Sequence, residues 1–185
     1  MDIFTILFIA FGLAMDAFAV SVTSGITIKH QRISNALRIA LFFGLFQAFM
    51  PLVGWLAGLS LKDSISGIDH WIAFGLLGFI GCKMIYESVK IQPKKKINPQ
   101  NIYILFMLSI ATSIDALAVG VTFAFLEVFI ATPIIVIGTI TFLLSFIGVF
   151  IGNKLGHVFE KKIEILGGLV LIAIGIKILL EHMVL

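Results

Sequence analysis

Long apolar runs, broken by charged residues, glycine and proline, occupy almost the whole chain. They lie at residues 3–26, 36–59, 70–89, 102–126, 133–155 and 163–183. A helix needs about 20 mostly apolar residues to cross the hydrocarbon core of a bilayer, and each run is close to that length. The pattern predicts an all-α integral membrane protein with six transmembrane helices joined by short connections.

The amino-acid composition indicates the same class of protein. Of the 185 residues, 60% are hydrophobic and 12% are charged, and the mean hydropathy is +1.15. Soluble domains are about half apolar, so a water-soluble core could not hide this much apolar surface. The lipid bilayer is therefore the expected surrounding, and almost no chain is left for a soluble domain.

The charged residues predict how the helices are oriented. Basic residues cluster in the first, third and fifth connections, as at Lys29, Lys94 and Lys154, whereas the second and fourth connections carry little positive charge. Basic connections stay on the cytoplasmic side of a membrane, so both termini are expected outside. The net charge of +3 is explained by these clusters, and nucleic acid is not an expected partner.

A basic connection at residues 92–100, which contains Pro93 and Pro99, divides the chain into two halves of three predicted helices. Residues 1–91 form the first half and residues 101–185 the second. The halves match in sequence where Asp16–Val22 corresponds to Asp115–Val121. Because three is an odd number, the second half must enter the bilayer in the opposite orientation, so we predict two inverted-topology repeats.

Inverted repeats build many secondary transporters, whose substrate site lies near the midplane at the repeat interface. An old duplication kept only for packing is the alternative. Glycines that match between the halves would let helices approach closely in either case. In the second and fifth segments they are Gly44, Gly54 and Gly58, which correspond to Gly138, Gly148 and Gly152.

Two aspartates carry the chemistry that the sequence predicts. Asp16 and Asp115 fall near the middle of the first and fourth segments, at matching positions of the two halves. An ionised carboxylate at the bilayer centre costs at least about 2.5 to 3.5 kcal/mol, so something must compensate for each of them. Two convergent carboxylates favour a bound cation. The alternative is that the aspartates cap broken helices or hydrogen-bond to neighbouring backbone.

Neutral oxygen atoms could complete such a site. Positions seven residues apart lie on the same face of a helix, so one threonine of each half lies two turns after its aspartate on that face. These candidate secondary ligands are Thr23, Thr122, Gln47, Thr141 and Thr112. They could equally bond back to their own helix or hold helices together. The sequence has no Cys-x-x-Cys motif and no histidine pair in a span, so oxygen-binding ions such as Mg²⁺, Ca²⁺ or Mn²⁺ are favoured over soft metals.

Two Lys–Glu pairs occupy matching positions of the third and sixth segments. Lys83 with Glu87, and Lys177 with Glu181, are each four residues apart, where opposite charges can pair on one helix face. Self-neutralisation near a helix end explains both pairs. A gate or a proton relay is the alternative that we keep open.

Taken together, the segments Ala14–Ser21 and Ala111–Gly120 resemble the duplicated Asp motif of the bacterial MntP-type manganese efflux pump family. The resemblance covers essentially the whole chain. It implies export of Mn²⁺ across the cytoplasmic membrane, with Asp16 and Asp115 as functionally important residues. Related six-helix proteins include a sporulation-associated membrane protein and exporters of amino acids and cadmium, so Mg²⁺ or Cd²⁺ transport and a non-transporting role remain alternatives.

The preferred function is therefore a secondary transporter and not an enzyme. Mn²⁺ is expected as the transported substrate, with no cofactor, and alternating exposure of the aspartate site would carry it across the membrane. The chain has no Walker A motif, so ATP is not an expected energy source, whereas a proton is a candidate counter-ion. An intramembrane aspartyl enzyme is the competing interpretation. The oligomeric state is not indicated by the sequence.

Overall fold

The computed structural model describes residues 1–27, 33–65, 69–89 and 101–155, together with the single positions 169, 172 and 176. Within these ranges the regular structure is all α-helical. The helices are α1 (Ile3–Thr27), α2 (Ile33–Ile65), α3 (Asp69–Val89), α4 (Ile102–Thr112), α5 (Ile114–Phe125) and α6 (Ala131–Leu155).

Four stretches of these helices are long and apolar enough to cross a membrane. They are Ile3–Ile26, Ile33–Ser60, Ile102–Phe125 and Ala131–Gly152, and they correspond to the first, second, fourth and fifth predicted segments. Helix α3 covers the third predicted segment, and the sixth lies outside the described residues except for positions 169, 172 and 176. The chain is therefore a membrane protein with several apolar helices.

The fourth predicted helix is not continuous. It breaks at Ser113 into α4 and α5, while the matching segment of the first half, α1, runs unbroken past Asp16. Apolar composition predicted the length of the fourth segment correctly but not this break, because hydropathy does not report which backbone groups bond to each other at its centre.

Close contacts at glycines show how the helices run relative to one another. Helix α1 packs along α6, and a Cβ added at Gly152 would lie 1.9 Å from the carbonyl oxygen of Val22. One turn earlier, a Cβ added at Gly148 would lie 2.9 Å from the Phe18 ring. Since both contacts advance together along the chain, α1 and α6 are parallel.

Helix α2 packs along α5 in the same manner. A Cβ added at Gly54 would lie 1.9 Å from the carbonyl oxygen of Leu117, and Gly58 faces Val121 one turn later. These two helices are therefore also parallel. We call the α1–α6 and α2–α5 interfaces the first seam and the second seam.

The two seams are joined where α2 crosses α6. Gly44 approaches Gly138 and Phe142, and Gly138 approaches Ala48 and Gly44. The order of these contacts makes α2 and α6 antiparallel. The direction of α1 is consequently opposite to that of α5.

Two apolar clusters form the interior. One combines buried residues of α1, α3, α5 and α6 with Ile130, and the other combines residues of α1, α2, α4 and α6. Large apolar side chains also cover the outside of the helices, including Phe4, Phe49 and Ile135. Such an apolar exterior is the surface that a membrane protein presents to lipid tails.

Candidate functional site

Asp115 lies in the first turn of α5, two residues after the break at Ser113, and its side chain is only 4% exposed. The break is a tight turn of the backbone. The Ser113 N–H donates to the Ile110 carbonyl at 3.1 Å, three residues back instead of four, and the Leu117 N–H donates to the Ser113 carbonyl at 3.1 Å. The aspartate is thereby held at the end of one short helix and the start of another.

Hydroxyl groups compensate for the backbone bonds that the break disrupts. The Ser113 hydroxyl donates to the Ser109 carbonyl at 2.7 Å, and the Thr112 hydroxyl donates to the same carbonyl at 3.3 Å. One turn earlier, the Ser109 hydroxyl donates to the Leu105 carbonyl at 2.8 Å. In a bilayer, where no water reaches such carbonyls, these donors make a broken helix tolerable. Thr112 therefore bonds back to its own helix, which is one of the roles that the sequence left open.

The break also shapes the electrostatics around Asp115. The first turn of a helix carries partial positive charge on its N–H groups, which favours an ionised carboxylate at the start of α5. The carbonyl groups that end α4 carry partial negative charge, which attracts a cation. Half-helix ends of this kind coordinate ions in transporters. The position of Asp115 fits both a cation site and the helix-capping alternative.

Asp16 lies in the unbroken helix α1 and is half-buried. The two residues next to Asp16 in the chain belong to different apolar clusters. Met15 is part of the cluster that includes Ala116, and Ala17 is part of the second cluster. Met15 and Ala116 are the chain neighbours of the two aspartates. The two aspartates are therefore both bordered by the same apolar cluster.

Gln47 and Thr141 occupy matching positions next to the crossing of α2 and α6, and both are fully buried. The Gln47 Nε2 donates to the carbonyl oxygen of Leu13 at 3.1 Å. That bond fixes the amide of α2 against α1 one turn before Asp16. Among the described residues, neither the Gln47 Oε1 nor the Thr141 hydroxyl has a hydrogen-bond partner.

The two matched threonines beyond the aspartates bond to their own helices. The Thr23 hydroxyl donates to the Ala19 carbonyl at 3.1 Å, and the Thr122 hydroxyl donates to the Ala118 carbonyl at 3.2 Å. These bonds match the first of the two roles that the sequence left open. The lone pairs of each hydroxyl oxygen remain able to accept a bond.

The Lys–Glu pairs are only partly within the described structure. Lys83 is half-buried on α3. The Glu87 side chain, and both Lys177 and Glu181, lie outside the described residues. The pairing and the gate or relay role thus stay predictions.

Two buried serines were not singled out from the sequence. Ser21 on α1 and Ser145 on α6 are fully buried, and their hydroxyl groups have no hydrogen-bond partner in the part of the chain that the structure describes. A buried hydroxyl without a partner costs about 1 to 3 kcal/mol, so each such group calls for an explanation. The sequence did contain one indication of Ser145: it follows Thr141 by four residues, so both lie on one face of α6.

No cluster of three or more His, Cys, Asp or Glu side chains occurs among the described residues. A cation bound by the described residues would therefore have at most two His, Cys, Asp or Glu ligands, and neutral oxygen atoms would complete its coordination shell. Amide, hydroxyl and carbonyl oxygens suit hard or intermediate divalent ions such as Mg²⁺ and Mn²⁺.

Comparison with known proteins identifies the family. The model of a family described as "Putative manganese efflux pump" matches residues 30–179. The chain belongs to this family. The resemblance seen in the sequence is thereby confirmed, and the family is one of transporters and not of enzymes.

Curated relatives match the chain over nearly its whole length, and each is named "Putative manganese efflux pump MntP". The protein of Gloeothece citriformis is 58% identical over 99% of this chain and 97% of its own length. That of Methanosarcina mazei is 53% identical over 99% and 98%. That of Rippkaea orientalis is 55% identical over 100% and 99%. No solved structure matches the chain.

Proposed function

We propose that this protein exports Mn²⁺ across the cytoplasmic membrane by alternating access to a midplane site that contains Asp16 and Asp115. The observation that carries the proposal is the placement of Asp115. It is a 4% exposed carboxylate at a helix break inside a membrane span, in a chain whose family members are named manganese efflux pumps.

The ligand shell that we propose combines both halves of the chain. The carboxylates of Asp16 and Asp115 supply the negative charge that a divalent cation needs in a bilayer. Gln47 Oε1 and the Thr141 hydroxyl supply neutral oxygens from α2 and α6, where both are fully buried. Mn²⁺ is the substrate in this proposal, and no cofactor takes part.

Matching contacts in the two halves support inverted-topology repeats. Each half contributes the same contact to the α2–α6 crossing, because Gly44 meets Gly138 and Phe142 as Gly138 meets Gly44 and Ala48. The two seams also correspond. Gly54 and Gly58 pack against Leu117 and Val121 in the second seam, and the matching contacts of the first seam join Gly148 to Phe18 and Gly152 to Val22.

The positions of the seams suggest how access alternates. The close contacts of the first seam begin at Phe18, just after Asp16, and those of the second seam begin at Leu117, just after Asp115. Because α1 and α5 run in opposite directions, the seams lie on opposite sides of the aspartates. Rocking of the halves about the α2–α6 crossing would open one seam while the other stays closed. With both termini outside, the first seam faces the cytoplasm.

Proton exchange is the energy source that we favour. Carboxylates bind a metal ion only when they are deprotonated, so a site that releases Mn²⁺ outside can take up protons there and return them inside. Export driven in this way would carry protons inward as manganese leaves.

The test is cellular manganese in a manganese-sensitive bacterial strain loaded with excess Mn²⁺. The strain carries the native chain, Asp16→Asn, Asp115→Asn or an empty vector, with the protein variants present at equal levels in the membrane. Glu127→Gln is the matched control, because Glu127 is an exposed carboxylate in the connection after α5. We expect the native chain and the control to lower cell manganese and the two Asp variants to fail.

The other outcomes identify the alternatives. Equal manganese in all strains would overturn the substrate, and the same assay with Mg²⁺ and Cd²⁺ would then decide between another divalent cation and a membrane protein that transports none. Export that survives both Asp substitutions would refute the two-aspartate site. A metal-independent activity that needs one protonated carboxylate would instead indicate an intramembrane aspartyl enzyme.

A further inference from the structure

The first seam contains polar atoms that the second seam lacks. Ser21 and Ser145 are buried on α1 and α6, and the residues that match them in the other half are Gly120 and Pro51. A Cβ added at Gly120 would lie only 2.1 Å from the carbonyl oxygen of Pro51, so this point of the second seam is closed by direct backbone contact. At the same point the first seam holds two hydroxyl groups.

The two serines lie at the same level of the seam. Gly25 packs against the backbone of Val149, since an added Cβ would lie 2.1 Å from its carbonyl oxygen. Because α1 and α6 are parallel, the residues one turn earlier, Ser21 and Ser145, are also at one level. Each is 0% exposed, and neither hydroxyl has a hydrogen-bond partner among the described residues.

Further oxygen atoms continue this line toward the aspartates. Thr141 lies one turn before Ser145 on the same face of α6, and its hydroxyl is also buried and without a hydrogen-bond partner among the described residues. The Gln47 amide is held at the Leu13 carbonyl, one turn before Asp16. The polar atoms therefore run from the level of the proposed cation site into the first seam, whose close contacts extend from Phe18 to Gly25 along α1.

We propose that Ser21, Ser145 and Thr141 form a polar passage by which the partly dehydrated cation moves between the aspartate site and the cytoplasmic side. This rests on the proposed function. A buried hydroxyl is unfavourable unless something bonds to it, and a cation or water in transit would provide that bond. The passage has no charged ligand, so it binds a cation too weakly to trap it, which conduction through successive sites requires.

The close contacts of the first seam close this passage: Gly148 meets Phe18 beside the serines, and further contacts follow beyond them. Gly152 against Val22 and Gly25 against Val149 leave no space between α1 and α6. Separation of the two helices would join the passage to the cytoplasm. The second seam would release the cation outside without an equivalent pair of hydroxyl groups, so the two routes differ in chemistry although the halves match in fold.

The experiment measures whether water and cations reach the serines. Ser21→Cys and Ser145→Cys are made in a Cys82→Ser background, purified as the full chain and reconstituted in vesicles. A small, positively charged methanethiosulfonate reagent then reports access, because it reacts with hydrated thiolates. Ala36→Cys is the matched control, since Ala36 is equally buried, at 1% exposure, within the apolar cluster that contains Val149.

We expect the thiols of Ser21→Cys and Ser145→Cys to react at least about tenfold faster than that of Ala36→Cys, which corresponds to a one-order difference in access. Mn²⁺ should slow the reaction at both serine positions. Reaction no faster than the control, in variants that still transport, would overturn the passage and leave the hydroxyl groups a packing role. If the cysteine variants do not transport, Ser21→Ala and Ser145→Ala decide.

The alanine variants separate the passage from the binding site. We expect Mn²⁺ transport to fall about fivefold to tenfold, the factor for one lost polar interaction, with equilibrium Mn²⁺ affinity unchanged within about twofold. Ser60→Ala, which removes an exposed hydroxyl bonded to Leu56, is the control. Native transport by both serine variants refutes the passage alone, whereas transport by Asp16→Asn refutes the proposed function.

Discussion

The second seam should not tolerate a single added methyl group at Gly54. In Gly54→Ala the new Cβ would lie 1.9 Å from the Leu117 carbonyl oxygen, 2.9 Å from its carbon and 3.1 Å from the Val121 nitrogen. All three are backbone atoms of α5, so no side chain can turn away. Raising the shortest separation from 1.9 Å to the 3.4 Å of ordinary contact requires α2 and α5 to move apart locally by about 1.5 Å.

This displacement sets the expected loss of stability. Forcing an extra methyl group into a packed interface costs about 1 to 3 kcal/mol. Alanine is a better helix former than glycine by up to about 1 kcal/mol, which offsets part of that cost. We therefore expect a net loss of up to about 2 kcal/mol against the native chain, and of about 1 to 3 kcal/mol against a Gly→Ala change that has no steric cost. Because Leu117 is two residues from Asp115, Mn²⁺ export should fall as well.

The assay is unfolding of the purified protein in mixed micelles, followed as SDS is increased. Gly75→Ala is the matched control, since Gly75 lies in α3 with no atom within 4 Å of an added Cβ, and it should be as stable as the native chain or slightly more stable. The helix-propensity gain is common to both variants, so their difference isolates the steric cost. Equal stability of the two variants would refute the close packing described for this seam.

Two further predictions concern hydroxyl groups whose hydrogen bonds are defined. Ser113→Ala removes the hydroxyl that donates to the Ser109 carbonyl at the helix break, so it should lower the free energy of unfolding by about 1 kcal/mol. Ser60→Ala changes an exposed site and should alter the free energy of unfolding little. Equal effects of the two substitutions in the SDS assay would contradict the role of Ser113. Thr23→Val and Thr122→Val remove hydroxyl groups that donate to their own helices, so the Mn²⁺ affinity of the purified protein should stay within about twofold of native. A loss of affinity of about tenfold would instead show that the two threonines are cation ligands.

The sequence alone put forward most residues of the candidate site, because the signals for them are local or repeated between the halves. The cost of a carboxylate in lipid singled out Asp16 and Asp115 without any structure. The match between the halves also paired Gln47 with Thr141, and the structure finds both fully buried beside the α2–α6 crossing. Ser21 and Ser145 were missed because a serine in an apolar run has several ordinary roles.

The sequence by itself determined the class of protein, four of its described spans and the family, because hydropathy, charge and repeated motifs are written along the chain. It also located the repeated glycines, but not the residues that these glycines contact. Only the tertiary structure decided that Gly54 meets Leu117, that Gly152 meets Val22, and that the fourth span breaks at Ser113. Those features depend on which helices lie side by side and on which carbonyl groups a hydroxyl can reach, and neither is fixed by the order of residues within one helix.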